Sequence, residues 1–395
     1  MAKIIVIGGS IMGSSLAYHM AMAGAADAVT IVEPDPTYEF AAAPRSAGGV
    51  RLMHSLPENI EMSRYGQAVY RDFANLMDVD GEPGVFPFRD YGYLHLVAGA
   101  EAVATIEKNW RTQTAHGAPN EILDRAAIAE RFPLLRHDDI DAGLYGPRDG
   151  FIDPYAAVTG FRRKAISLGV EYVNDRVTGI EADASQVTGK VTGVTLASGR
   201  RLDAEAIVNV AGAWAPDICA MVGMSIPVEP LCRPTFYFET EQPLDPLPLT
   251  KDPSGMAFRT EGRGFASGIT RQDVPGGFNW EIGEAEHAYF ENDLWPALAH
   301  RVAAFERIKV KRSWSGHYAL NRFDGNTIIG PWVGGLENFY VAVGFSGAGL
   351  QKGPAIGRAL SELLLHGAYQ TLDLSRLSYQ RIIDNAPLFE EGFTA

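Results

Sequence analysis

Apolar residues fall along the chain in two rhythms, and the places where one gives way to the other mark its elements. The stretch 3–7 is a continuous apolar run, as expected of a strand buried on both faces, and it leads directly into Gly8, Gly9, Ser10, Ile11, Met12 and Gly13. A helical spacing then takes over, with Leu16, Ala17, Met20 and Met22 near one face and Gly24 at a position suited to the helix end. Val29 to Val32 form a second apolar strand that closes at Glu33. Together these pieces predict a βαβ unit of about 30 residues.

Related pieces return far downstream. The segment AEAIVNVAGAWAPDI (204–218) reads as another buried strand running into small residues. FYVAVGFSGAGLQKGPAIGRALSELLLHG (339–367) predicts a strand, a turn with glycines at 344, 347 and 349, and a helix whose Ile356, Leu360, Leu363 and Leu364 make one apolar stripe. Between these pieces lie two stretches of different character, near 86–145 and 225–315. PTFYFET (234–240) and MAFRTEGRGFASGI (256–269) alternate with a period of two, which predicts antiparallel strands. The expected architecture is α/β, α+β overall. A Rossmann-like nucleotide-binding domain would take residues 1–85, 146–224 and 318–395, and a discontinuous antiparallel-sheet substrate domain would take 86–145 and 225–317.

Composition narrows the function classes. With 395 residues, 46% of them hydrophobic and 21% charged, the chain has material for a large core divided between two domains. A net charge of -14 without a basic run argues against nucleic-acid binding. The two cysteines, Cys219 and Cys232, provide neither a disulfide framework nor the paired spacing of a zinc site, and no metal is expected. No run of about 18 apolar residues could cross a bilayer. The first strand begins too early to leave room for a leader, so a cytoplasmic location is the expectation.

The glycine turn carries the first chemistry. A dinucleotide-binding turn uses its first glycine for the sharp bend, its second for close approach of the pyrophosphate and its third for helix–strand packing. Gly8 and Gly13 fill the first and third places, while Ser10 stands at the second, where its hydroxyl can donate to a phosphate at the helix N-terminus. Glu33 lies 20 residues beyond Gly13, at the strand end where a carboxylate accepts from ribose hydroxyls. This pattern predicts a bound dinucleotide and leaves FAD and NAD both open.

Several longer motifs resolve that choice by resemblance. SAGGVR (46–51), DGFIDP (149–154), IVNVAGAWA (207–215), GHYALNRFDGNTIIGP (316–331) and GFSGAGLQKGPAIGR (344–358), together with the opening turn, resemble the FAD-dependent amine oxidoreductases. That family includes D-amino acid oxidase, glycine oxidase, monomeric sarcosine oxidase and dimethylglycine dehydrogenase. SLPENIEMS and FDGNTIIGP are similar to one branch of it, the mitochondrial FAD-dependent oxidoreductase domain proteins and their bacterial relatives. The resemblance covers nearly the whole chain. It implies a D-amino acid oxidase type of fold, FAD as cofactor, and oxidation of the C–N bond of an amino acid or secondary amino acid, with electrons passing to oxygen or another acceptor. Oxidation of a 2-hydroxy acid on the same fold, or a non-catalytic FAD-binding assembly factor, are the alternatives.

The resemblance also assigns residues. Gly8, Ser10, Ile11, Met12, Gly13 and Glu33 would hold the adenosine and pyrophosphate end. Arg45, Ser46 and Gly49 would lie along the pyrophosphate and flavin, Val177 would meet adenine through its backbone, and Ala211, Gly212 and Trp214 would flank the nucleotide. Gly344, Gly347, Gly349, Leu350 and Gln351 would bring backbone N–H groups towards the flavin pyrimidine ring, where reduction develops negative charge. Arg51 would stand near the flavin and pair with a substrate carboxylate, with His54, Tyr318, Arg259 and Gln351 as further substrate-site candidates. Three departures from the family pattern stand out. The cysteine that tethers flavin in sarcosine oxidase matches Gly316, and the tethering histidine of dimethylglycine dehydrogenase falls near Ser46, which implies noncovalent FAD. The oxygen-activating lysine matches Ala266. The lysine that binds the substrate carboxylate matches Gln351, with Lys352 next to it.

Overall fold

In a computed structural model, residues 3–85, 88–183, 189–269 and 274–392 are described. The N-terminal strand Ile4–Ile7 is buried along its whole length because it lies inside a six-stranded sheet, paired in parallel with Ala206–Asn209 on one side and Val29–Val32 on the other. The sheet order is Ile328–Pro331, Phe339–Val343, Ala206–Asn209, Ile4–Ile7, Val29–Val32, Glu171–Val173, and only the Ile328–Pro331 edge runs antiparallel. Alternate side chains feed two cores. Val6, Ile31 and Val208 face the helices, and Ile5, Ile7, Ile207 and Val341 face a three-stranded antiparallel sheet and its surroundings.

The helices Ile11–Met22 and Gly349–His366 lie close together over one face of this sheet. Small residues make that possible. A Cβ on Gly357 would sit 2.6 Å from the backbone carbon of Ser15, so no larger residue fits the crossing. The apolar stripe of the first helix ends earlier than its spacing predicts: Leu16, Ala17 and Met20 are buried, whereas Met22 in the last turn is 59% exposed. A third helix, Pro57–Arg71, starts on a proline whose missing N–H would have no partner there, and Gly66 brings it against the carbonyl oxygen of Gln351.

The second sheet has eight strands, in the order Ile308–Asn321, Val228–Thr240, Gly264–Ile269, Met256–Glu261, Leu249–Lys251, Tyr93–Val97, Ala142–Gly146, Glu121–Asp124. Neighbours are antiparallel except Leu249–Lys251 and Tyr93–Val97, which pair in parallel and join the two halves. The 256–269 stretch forms the hairpin its alternation predicts, with Thr260 opposite Phe265. Its core is aromatic: Phe305 contacts Phe238, Phe258 and Phe265 with ring centroids 4.8–5.3 Å apart. The helices Ala100–Ala115 and Arg125–Arg131 cover the far end. The strand Ile308–Asn321 continues through residue 318 without a break, so a continuous strand carries residues 316–318 from one sheet towards the other.

Candidate functional site

The glycine turn is shaped by contacts that exclude side chains. Gly8 has φ +107°, and a Cβ there would lie 2.8 Å from the carbonyl oxygen of Val210; a Cβ on Gly13 would lie 1.9 Å from the carbonyl oxygen of Gly8. Ser10 precedes the helix without capping it, and its Oγ is buried with no hydrogen-bond partner among the described residues. An uncapped helix start, an orphaned hydroxyl and a side-chain-free bend suit a diphosphate. Ile11 and Met12 supply the first helical N–H groups and are themselves buried. Glu33 accepts hydrogen bonds from the N–H of Gly9 at 2.7 Å and of Asp35 at 2.9 Å, and burial raises its pKa. It therefore stands beside the turn at the strand end, as its spacing predicts. Val177 opens the strand Val177–Asp183, next to Arg176, whose charge reaches Glu33. Ala211 and Gly212 adjoin Gly8: a Gly8 Cβ would meet the Ala211 Cα at 3.1 Å.

A cleft opens between the sheets, lined by Arg45, Ser46, Arg233, Arg259, Gly316 and Tyr318 among others. Arg45 spans it by donating to the carbonyl of Ser315 at 2.8 Å and stacking 5.3 Å from the centre of Trp280. The Ser46 hydroxyl accepts from the N–H of Gly48. Gly49 begins the short strand Gly49–Val50, paired with Gly150–Phe151, and so fixes where Arg51 leaves the sheet. Trp214 stacks on Phe278, 4.9 Å away, in an aromatic group with Trp280 and His317 rather than standing alone beside the turn.

The C-terminal glycine segment meets the 51–54 loop through Gln351. Its side-chain oxygen accepts the N–H of Arg51 at 2.9 Å, and its amide donates to His54 Nε2 at 3.2 Å. Gln351 is 1% exposed and thus committed to positioning Arg51 rather than offered to a substrate carboxylate. Gly344 and Gly347 have φ of +72° and +95°, and Leu350 accepts the Tyr70 hydroxyl at 2.6 Å on its carbonyl. Gly349 packs against Met12 and Phe345. His54 is fully enclosed. Burial lowers its pKa to about 4, so the ring is neutral, with Nδ1 facing Glu390 at 3.4 Å and Nε2 facing Ser63 and Gln351. His54 therefore anchors the loop from inside.

Three polar groups here were given no role in the sequence reading. Asp149, 1% exposed, accepts from the N–H of Leu52 at 3.1 Å and from Gln67 at 3.0 Å, and burial raises its pKa to about 7. It lies in the DGFIDP motif, which was the available signal. Lys352, 3% exposed, lines a second cavity with Arg51, Ser346 and Glu390; burial lowers its pKa to about 8, with the Arg51 charge adding and Glu390 opposing. Glu390 comes from the C-terminal segment, where it accepts from Ser55 and Asn59; no local pattern announces it.

Arg51 lines the second cavity, and Tyr318 and Arg259 line the cleft between the sheets. The Arg51 guanidinium lies 5.5 Å from the centre of the Tyr93 ring and has no ion pair or hydrogen bond among the described residues. Tyr318 faces the cleft under the Arg233 guanidinium, 4.8 Å from its ring centre. Arg259, 6% exposed, is ion-paired with Glu261, donates to the Thr260 carbonyl at 3.0 Å and packs on Phe151, so its charge is already matched. Among the described residues no group of three or more His, Cys, Asp or Glu could hold a metal ion, and no helix is long and apolar enough to cross a membrane.

Comparison with known proteins agrees with this geometry. A family model described as FAD dependent oxidoreductase matches residues 3–363. FAD-dependent oxidoreductase domain-containing protein 1 of Xenopus laevis is 34% identical over 99% of this chain and 84% of its own length. Mitochondrial dimethylglycine dehydrogenase of Rattus norvegicus is 29% identical over 93% of this chain and 43% of its own length. Among solved structures, L-proline dehydrogenase from P. horikoshii superposes with a TM-score of 0.86 at 24% identity, covering 98% of this chain and 99% of that one. Glycine oxidase from Geobacillus kaustophilus gives 0.78 at 20% identity, covering 95% and 98%. A turn without room for a side chain, an uncapped helix behind it, and a match running from the first strand into the last long helix lead to one conclusion: the chain belongs to the FAD-dependent oxidoreductase family, with the D-amino acid oxidase type of fold, and FAD is its cofactor.

Proposed function

We propose that the protein oxidises the C–N bond of an amino acid or N-substituted amino acid to an imine, which water then hydrolyses. The observation that carries this reading is Arg51: a guanidinium without a carboxylate partner, held over Tyr93 by the Gln351 and Asp149 contacts of its loop, at the edge of the cavity that Ser346 and Ala348 line. It is placed to take a substrate carboxylate in bidentate fashion. Bound FAD supplies the acceptor for the hydride that leaves the α-carbon.

The remaining work falls to the chain. Cationic surroundings disfavour a second positive charge, so Arg51 and its neighbours bias the bound amine towards its neutral form, which is the form that can lose hydride. Lys352, whose pKa lies at about 8, can exchange the proton that the substrate ammonium gives up. Gly316 lies where a tether would come from and faces Arg45, and Cys219 is buried with its thiol pushed up to about 12, first by that burial. Both observations support FAD held noncovalently.

Anaerobic mixing of the holoprotein with a panel of amino acids, N-methyl amino acids and 2-hydroxy acids tests the reading. Loss of flavin absorbance with an amine is expected. Faster loss with a hydroxy acid than with any amine overturns it, as does no loss with any compound.

A further inference from the structure

The cleft next to the Arg51 cavity holds another arginine, Arg233, that has no carboxylate partner among the described residues. Arg233 lies on the strand Val228–Thr240, opposite Gly316, and its guanidinium covers the Tyr318 ring at 4.8 Å. Its Nη1 is buried with no hydrogen-bond partner among the described residues. Arg51 and Arg233 share one neighbourhood: Arg51 lies over Tyr93, Tyr93 pairs in the sheet with Leu249, and Leu249 lines the cleft together with Arg233. The charges of both act on Tyr93 and on Lys251, whose pKa falls to about 7 through burial and then through these two arginines.

The nearby carboxylates are already engaged. Glu261 pairs with Arg259, Glu390 is held by Ser55 and Asn59, and Asp149 is bound by Leu52 and Gln67. Two guanidinium groups whose charges act on the same buried side chains disfavour each other, and each lacks the planar anion that its donors fit. One carboxylate satisfies one of them.

Resting on the reading of Arg51 as the carboxylate anchor of the amine-oxidising site, we propose that the substrate is a dianionic amino acid, whose α-carboxylate is taken by Arg51 and whose second carboxylate reaches the adjoining cleft and is taken by Arg233 above Tyr318. The second carboxylate can belong to an N-carboxyalkyl group or to the amino-acid side chain; the chemistry read by Arg233 is the same.

The binding test does not depend on turnover. Oxidised holoprotein is titrated with malonate, succinate and glutarate, each against the monocarboxylate with the same number of carbons, and the flavin spectrum reports occupancy. At least one dicarboxylate is expected to bind about 10- to 100-fold more tightly than its monocarboxylate, the range that one charge-assisted contact supplies. In Arg233→Met that ratio is expected to fall towards one, and in Arg233→Lys to survive in part. A ratio near one in the wild type overturns the proposal, as does an undiminished ratio in Arg233→Met. Loss of FAD from both variants also overturns it, because Arg233 would then serve the cofactor. Anaerobic mixing with N-carboxymethylalanine and with N-methylglutamate then tells the two sources apart. Should a dicarboxylate preference that depends on Arg233 stand while neither compound reduces the flavin, the amine reading falls and the recognition of two anions remains.

Discussion

Gly13→Ala puts the nucleotide turn under direct load. The new Cβ would stand 1.9 Å from the Gly8 carbonyl oxygen and 3.0 Å from its carbon, both backbone atoms with no rotamer to swing away. Restoring an ordinary contact of 3.4 Å moves helix Ile11–Met22 about 1.5 Å off the turn. That helix cannot slide freely, because Ser15 and Leu16 already touch the Gly357 backbone of the last long helix. Overpacking of this kind costs about 1–3 kcal/mol of stability. Cofactor affinity suffers more, since the helical N–H groups and Ser10 move together; losing one charge-assisted hydrogen bond weakens binding about 10- to 100-fold. The assay is FAD titration of the apoprotein followed by flavin fluorescence, with thermal unfolding alongside. Gly24→Ala is the control: its glycine has φ +79° and nothing within 4 Å, so it loses about 1 kcal/mol of stability without touching the turn. If Gly13→Ala binds FAD as tightly as the control, the account of the turn is wrong.

Other outcomes follow from the buried polar groups. Burial holds the Asp149 carboxyl at about 7, well above that of an unfolded chain, so its contribution is fully present below about pH 4 and is lost as pH rises towards 7, about 4 kcal/mol in all; Asp149→Asn should flatten the fall of melting temperature between pH 4 and 7, and an unchanged slope would contradict the assignment. Gln351→Leu should keep FAD yet slow anaerobic flavin reduction at least about 10-fold, because the Arg51 backbone loses its anchor; wild-type rates would show that Arg51 needs none. Arg301, 1% exposed, pairs with Asp252 and Asp139, and Arg301→Leu should cost about 3–5 kcal/mol in denaturant unfolding by leaving buried Asp252 unpaired. A loss below about 1 kcal/mol would mean that water reaches Asp252.

How much of this was legible in the sequence depended on whether the signal was local. The first βαβ unit and the 256–269 hairpin were readable because each carries its period within about 30 residues. Helices Ala100–Ala115 and Arg125–Arg131 went unread in a region assigned to strands, since their buried faces are narrow: Ile106, Asn109 and Gln113 in the first, and Ile128 alone in the second. The parallel pairing of Leu249–Lys251 with Tyr93–Val97 joins segments far apart in the chain and leaves no local trace. Of the residues proposed for the site, Arg51 was legible through the resemblance of its SAGGVR loop. Arg233, proposed here for the second carboxylate, carried no such signal, because a strand of 13 residues with Pro230 and Pro234 in it does not declare which face looks into the cleft. Arg259 was chosen for its charge, but its partner Glu261 stands two residues along the same strand, a pairing that the alternation of strand faces made readable. Glu390 reaches the site from a tail without periodicity, fastened by Leu388 and Asn326.

A crystal structure of the holoprotein with a non-reducible dicarboxylate tests the whole account most directly. Cofactor density is expected to run from the Gly8–Gly13 turn past Glu33 to the Gly344–Gln351 segment, with the ligand's two carboxylates on Arg51 and Arg233. Cofactor density elsewhere, or a ligand held away from both arginines, would contradict it.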